Sequence, residues 1–368
     1  MSGILLIDDD HKMIVRLKDR LDARLGAASG VATTIWEPSD RDGDGLARFE
    51  GLVRDHDVKL VVTDFDLTRQ GMSGLFGATI VDWCQQVLIP VADFSRALEK
   101  RLPEEPNLFE VRISADTEIA ARQIASIYSG FKQVHDGLAA ARAIEGFKSF
   151  RSPAAALAAI LKGTTDESPF ALYSTRYGGA NSMLLDRIKQ TLSPDIIPNE
   201  EEKNLVLSYI CGHLLLNAVL RFPGPIIHHE ALGAYCGIDP ATGAELADMF
   251  AACEYEGPFQ EMGSFFWFDC VQGVIQEHAE LLQIETESET VGEFNRTVVE
   301  QVLKKQLPAH GCPRCAGKNG GFWCPLTRKT VCLLSSCSVA STSWVPRGAQ
   351  LCRIERNFYD EWAPILGA

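Results

Sequence analysis

Long hydrophobic runs are what this sequence most plainly lacks. The most apolar stretch, Leu205–Leu220, is interrupted by His213 and Asn217 and is too short to span a bilayer comfortably. No membrane segment is expected. Near the N-terminus, the four apolar residues Ile4–Ile7 run straight into three acids, which is not the pattern of a secretory signal, so a cytoplasmic protein is expected. Positive charge is also scarce. Thirty-five Lys and Arg stand against 49 Asp and Glu, a net charge of −14. That balance excludes a general nucleic-acid or acidic-membrane binder. No internal repeat is visible, and no complete hydrolase, kinase, cyclase or nucleotide-binding motif follows residue 164.

What is present is material for ordinary folded domains. At 368 residues, 46% hydrophobic and 23% charged, the chain has enough for two or three cores at about 150 residues per domain. The charge is unevenly spread. Residues 301–368 hold nine Lys or Arg and three Asp or Glu, so a basic tail docking on an acidic body is one expectation.

The first 163 residues alternate strand and helix patterns. "GILLI" (3–7) reads as a buried strand and "HKMIVRLKDRLDARLG" as a helix with Ile14, Leu17, Leu21 and Leu25 on one face. "VATTIW" (31–36) is β-branched and reads as a second strand, an acidic loop and short helix follow, and "VKLVV" (58–62) is the third strand. "GLFGATIVDWCQQVL" should be the next helix. The polar, Pro-bearing stretch at about 90–108 reads as an insertion or extra helix, and "LFEVRISAD" (108–116) as the fourth strand. Residues 137–163 read as helix, short strand "FKSF", helix. Such alternation implies an α/β, doubly wound parallel sheet. A linker, "TTDESP" (164–169), leads to a weakly patterned stretch at 170–200, in which "YGGANS" reads as a turn. A mainly helical region over 201–285 follows, with "NLVLSYICGHLLLNAVL" as its core helix and "EYEGPFQEMGSFFWFD" as a hairpin.

Strand one ends in Asp8, Asp9 and Asp10, and strand three in Asp64. In a doubly wound sheet the carboxyl ends of strands converge on the ligand crevice. Gathered carboxylates raise one another's pKa unless a cation sits among them, and Mg²⁺, with its preference for oxygen and its retained waters, suits that place. Solvated acids at strand ends are the plainer alternative. "LLIDDD", "VVTDFDL" and "GMSGL" together make residues 1–163 resemble the receiver domain of two-component response regulators, a flavodoxin-like fold. The resemblance implies that Asp64 accepts a phosphoryl group from a histidine kinase. It implies that Asp8, Asp9 and Asp64 hold Mg²⁺ with the backbone carbonyl of Asp66, and that Ser114 in "RISAD" is the switch hydroxyl after strand four. The family's lysine falls on Lys148, with Lys132 and Arg151 as other choices. Such chemistry is physically consistent: a carboxylate nucleophile needs charge neutralisation, and a hydroxyl can swing to bond the new phosphoryl oxygen. A degenerate receiver that binds partners without phosphorylation is a second form of the same reading. "DFDLT" also has the D-x-D-x-T form of haloacid dehalogenase-like phosphatases, with Asp64 as nucleophile and Asp66 as general acid, but that family places its second acid pair after the nucleophile.

Of eleven cysteines, six lie between Cys312 and Cys352. In a reducing compartment such clustering reads as metal rather than disulfides. Cys312 and Cys315 have zinc-knuckle spacing, and two of Cys324, Cys332 and Cys337 would complete a four-ligand structural zinc site; His310 is an outside candidate and Cys352 a spare. A redox pair or plain buried thiols are the alternatives. Cys211, Cys236, Cys253 and Cys270 read as small core residues, and His228 and His229 as helix-cap or surface residues.

The expected organisation is therefore a receiver-like domain (1–163), a mainly helical output or interaction region (164–300) and a cysteine-rich zinc module (301–368). The segment 228–256 can be forced into the helix-turn-helix plus wing of a DNA-binding response regulator. Its recognition helix would carry Glu245 and Asp248 and no Lys or Arg, which repels phosphate. A downstream protein partner is the expectation that remains.

Overall fold

The computed structural model describes all residues except 1–2, 27–28, 40–41, 65–66, 68–76, 95–110, 145–149, 151, 174–199, 240–241, 285–289, 311, 313, 316–319, 341–343 and 367–368. The chain divides into two compact units. The first comprises Met1–Thr165, Tyr177–Asn217 and Gly257–Met262; the second Asp166–Arg176, Ala218–Glu256 and Gly263–Ala368. No helix among the described residues is long and apolar enough to cross a membrane.

The first unit is built on a parallel sheet of five strands: β1 (Gly3–Ile7), β2 (Ala32–Trp36), β3 (Val58–Thr63), β4 (Val91–Asp93) and β5 (Val111–Arg112), in the order β2-β1-β3-β4-β5. All five residues of β1 are buried, because a central parallel strand is covered on both faces and must be apolar throughout. Helix α1 (His11–Leu25) begins where it does because the Asp10 carboxylate accepts the Met13 N–H at 3.1 Å. It buries Ile14, Leu17 and Leu21 as their spacing predicts; Leu25 is only half-buried. The acidic loop before α2 (Gly45–Asp55) supplies Asp44 as the next cap, accepting from Leu46 and Ala47. Helix α3 (Gly77–Gln86) buries Ile80 and Cys84.

The fourth and fifth strands differ from the sequence expectation. Val91–Asp93, inside the stretch read as an insertion, pairs in register with β3, so Val111–Arg112 is the fifth strand and not the fourth. Three residues ending in an acid carry no alternation to read; only pairing with Val61–Thr63 makes them a strand. Beyond β5, the helix α4 runs unbroken over Thr117–Ala143, capped by Asp116, and α5 (Pro153–Lys162) starts at Ser152 with Pro153 in its first turn. Of the expected strand "FKSF", residues 147–149 lie outside the described residues and Phe150 is not in a strand. Helix α6 (Glu200–Leu214) packs closely on α4. A Cβ on Gly130 would stand 2.1 Å from the Phe259 ring, and one on Gly212 would stand 2.3 Å from Phe131. Phe131 meets His213 and Phe259 edge-on at 4.9 and 5.3 Å.

The second unit is assembled from short elements. Strands β6 (Ile226–His228) and β7 (Phe265–Trp267) pair antiparallel, so "SFFWFD" pairs chiefly with 226–228; only a single bridge, Glu254 to Phe266, links it to the segment before it. Around them lie α7 (His229–Tyr235), α8 (Gly243–Met249), α9 (Phe268–Leu281) and α10 (Val291–Leu303), whose core includes Leu232, Phe250, Phe266, Val271 and Val298. Helix α8 begins after Thr242. The hairpin β8 (Phe322–Cys324) and β9 (Lys329–Val331), the pair β10 (Ser338–Val339) and β11 (Ile354–Glu355), and α11 (Arg356–Leu366) complete the unit. Cys253 and Cys270 form a disulfide, where the sequence suggested two separate core thiols; the fold of 251–270 brings together residues whose 17-residue separation carries no pairing signal.

Candidate functional site

The three consecutive acids after β1 have separate fates. Asp10 is a helix cap. Asp8 and Asp9 are buried, and one carboxylate oxygen of each lies within 4.8 Å of one from Asp64. The meeting is imposed by the ladder: Ile7 is in register with Thr63, and the Asp64 N–H donates to the Ile7 carbonyl at 3.0 Å. Residues 56 apart in sequence thus end their strands side by side. Burial pushes the Asp8 carboxyl up to about 7 from an ordinary 3.8. A hydrogen bond from the Asp10 N–H (2.8 Å) opposes that, and the charges of Asp64, Asp9 and Asp10 add to it. The donor set is all oxygen, which fits a hard divalent cation.

Of the other residues expected at this site, Ser114 and Lys132 are among those described. Ser114 follows β5 rather than β4, and its hydroxyl accepts the Asp116 N–H at 3.1 Å, ordering the entry to α4. Lys132 lies on the surface of α4, 2.5 Å from Asp136. Asp66, Lys148 and Arg151 lie outside the described residues. The ladder continues past Asp93 through Phe94 N–H to the Thr63 carbonyl (2.8 Å) and Ile113 N–H to the Asp93 carbonyl (3.0 Å). The residues following β4 and β5 at the level of Asp64 are therefore Phe94 and Ile113, both buried and apolar. A fourth acid at this end of the sheet, Asp93, is buried at the end of β4. Sequence reasoning missed it because its strand was missed.

The second cluster is made of sulfur. Cys312, Cys315, Cys332 and Cys337 place their Sγ atoms within 4.8 Å of one another, and Cys315 and Cys332 are 3.8 Å apart. A tetrahedral ion with bonds of about 2.3 Å separates its sulfurs by about 3.8 Å. Three of the thiols are buried and Cys315 is exposed. Burial raises the Cys312 thiol, but hydrogen bonds to its sulfur from the backbone of Arg314, Cys315 and Cys332 and from the Cys332 thiol outweigh it, leaving it at about 7. Cys332 is pushed up to about 12, first by burial. One member of the group is thus ready to lose its proton, and a bound metal would deprotonate the rest.

Cys324 is not part of this group. It is buried, and its sulfur accepts the Glu355 N–H at 3.3 Å. His310 is buried against Gly320, with its pKa lowered to about 4 by burial, and neither it nor Cys352 joins the group. Arg353, which sequence reasoning did not single out, braces the ligand loop. Its Nε donates to the Ser338 hydroxyl at 2.7 Å, and that hydroxyl donates to the Cys332 carbonyl at 2.5 Å. The nearby cations Lys329 and Arg328 face Glu355 (3.5 Å) and Glu230 (3.9 Å), and Arg314 donates to Asn357. Lys318 lies outside the described residues.

No family model matches this chain, and no curated protein matches it. Among solved structures, the substrate- and cofactor-free form of the aldehyde reductase YqhD from E. coli aligns at 13% identity over 84% of this chain and 80% of that one, with a TM-score of 0.15. A likeness that slight says nothing about fold or chemistry here.

Proposed function

We propose that this is a response-regulator-like signalling protein. A cation-loaded acid cluster in the first unit governs the binding of a protein partner by a zinc-stabilised second unit. The observation that carries the reading is the convergence of Asp8, Asp9 and Asp64 at the ends of β1 and β3 in a sheet ordered 2-1-3-4-5. That order is the flavodoxin-like one, and its ligand crevice lies outside the strand ends between β1 and β3. In this reading Mg²⁺ sits among the three carboxylates and neutralises the charge that would build up when Asp64, the half-buried member, takes a phosphoryl group from a histidine kinase. The Asp66 carbonyl as a further ligand and Lys148 as a phosphate contact rest on the family resemblance alone.

Phe94 and Ile113 favour a second form of the proposal. A phosphoryl group on Asp64 carries close to two negative charges and three acceptor oxygens. Of the described residues, those level with Asp64 on β4 and β5, Phe94 and Ile113, offer it neither a hydroxyl nor a lysine. A receiver-like unit that binds its partner with the cation alone is consistent with that apolar lining. The two forms separate by intact-mass spectrometry after incubation with Mg²⁺ and acetyl phosphate, with Asp64→Asn alongside. A phosphate-sized gain in the wild type and none in the variant supports phosphoryl acceptance. No gain in either, with Mg²⁺ still bound by calorimetry, supports the unphosphorylated form. Absence of both gain and Mg²⁺ binding would sink the receiver reading.

In the second unit, Cys312, Cys315, Cys332 and Cys337 fit a closed structural zinc site with no open position for catalysis. DNA binding draws no support from α8. The helix is seven residues long, and its Glu245 holds Lys305 at 2.6 Å. A phosphomonoesterase using Asp64 with Asp66 as acid has only the short sequence form behind it.

A further inference from the structure

Between α9 and α10 in the second unit lies a groove of about 460 Å³ that the regulatory reading does not use. Gln272, Gly273 and Gln276 line it from α9, Phe294 and Asn295 from α10, and Tyr235 beneath. Three observations define what it can take. First, Asn295 is 2% exposed and its Nδ2 donates to the Tyr235 carbonyl at 2.9 Å. That bond fixes which way the amide points and leaves Oδ1, which takes no hydrogen bond among the described residues, as an acceptor. Gln276, exposed on α9, points the same way: its Nε2 donates to Glu280 at 2.8 Å and its Oε1 is left to accept. Second, the charge around the groove is mostly negative. The two helices carry Asp269, Glu277, Glu280, Glu293 and Glu300 against Arg296, and none of these six is among the described lining residues, so the groove has an uncharged lining in an acidic surround. Third, Gly273 sits mid-helix, where glycine is disfavoured by about 1 kcal/mol, yet a Cβ there would meet nothing within 4 Å. Packing among the described residues gives no reason for its smallness, whereas close approach of a ligand does.

Oriented acceptors, aromatic rings and an acidic surround suit a planar cation rich in N–H donors. We propose that this groove binds a guanidinium group, its N–H donors directed at Asn295 Oδ1 and Gln276 Oε1 and its face against the Phe294 or Tyr235 ring. The group could arrive on a free small molecule or on the arginine of a partner polypeptide. The test is calorimetric titration of the full chain with butylguanidine, with butylurea as its uncharged isostere, and with a blocked Gly-Arg-Gly tripeptide. Butylguanidine or the tripeptide should bind at least 10-fold more tightly than butylurea. Gly273→Leu, which fills the groove without a clash at Cβ and improves helix propensity, should weaken binding at least 10-fold with no loss of thermal stability; Gln276→Leu should weaken it less. Tighter binding of the tripeptide than of butylguanidine assigns the site to a partner's arginine; the reverse order assigns it to a small molecule. Equal affinity for guanidine and urea, full binding by Gly273→Leu, or no binding of any probe at millimolar concentration would overturn the proposal.

Discussion

The acid cluster and the thiol cluster solve opposite problems. The acids come from strand ends 56 residues apart and are held together by a sheet whose strands are buried for reasons of their own. The thiols come from 26 consecutive residues with little regular structure, braced by Arg353 and two short strand pairs. In the first case the fold creates the site and buries its acids, and that burial, with the neighbouring charges adding to it, raises the Asp8 carboxyl to about 7. In the second the site would help to create the fold, because the cluster of Cys312, Cys332 and Cys337 buries no other hydrophobic side chain and the segment's remaining core residues, such as Trp323 and Val331, belong to other clusters. The difference teaches that like ligands in a cluster say nothing by themselves about which way the dependence runs.

The largest expected effect breaks the thiol side. A zinc ion held by these four cysteines would supply folding free energy on the order of the 10–16 kcal/mol that zinc-finger peptides draw from theirs. Cys332→Ser, or chelation, should therefore abolish zinc content and hydrogen-exchange protection over 320–340, while Cys324→Ser keeps its zinc. Metal analysis of the two variants checks this, and zinc lost from Cys324→Ser but kept by Cys337→Ser would overturn the ligand assignment. The next effect breaks the acid side through the fold. Leu5 is fully buried in β1, and Leu5→Ala should cost about 2–5 kcal/mol in urea unfolding of the first unit. If the fold makes the acid site, Mg²⁺ binding fails with it and zinc content does not change.

A third experiment sharpens the comparison by charge. The folded Asp8 carboxyl titrates near 7 and the unfolded one near 3.8. The folded state thus holds the extra proton between those values, and without metal this group's contribution to stability falls as pH rises from about 4 to 7. Asp8→Asn should remove that fall and stabilise the metal-free protein at pH 8 by something on the order of 1–3 kcal/mol. Denaturation curves at pH 5 and 8 decide it, and an unchanged pH dependence would mean that the Asp8 carboxyl is not raised by its burial. The smallest effect separates Asp10 from its neighbours. Asp10→Ala removes only the α1 cap, at a cost of about 1 kcal/mol, and leaves cation binding intact, whereas Asp9→Asn weakens cation binding.

Much of the first unit was legible. β1, β2, β3 and α1 announced themselves by apolar runs, β-branching and helical spacing, and the acids at the strand ends followed from them. The placement of Ser114 was not legible, because it hung on counting strands. β4 is three residues long, polar at its end and visible only through its pairing with β3. Four cysteines were legible as a set to within one choice. Spacing could not decide between Cys324 and its neighbours, since the decision is made by the β8–β9 hairpin, which points Cys324 at the Glu355 N–H instead of at the other sulfurs.

The sequence by itself determined the local terms: which runs are apolar enough to be central strands, where carboxylates and hydroxyls start helices, and that a Cys-x₂-Cys pair stands in a cysteine-rich tail. These depend on neighbours a few residues away, and a linear reading reaches them. Only the tertiary structure decided that Asp8 and Asp9 meet Asp64 while Asp10 does not. It also decided that Phe94 and Ile113 flank that site, that Cys253 pairs with Cys270, and that an amide-lined groove opens beside Gly273. Each is a matter of register or packing between distant segments. A shift of one residue in a strand turns every side chain to the other face.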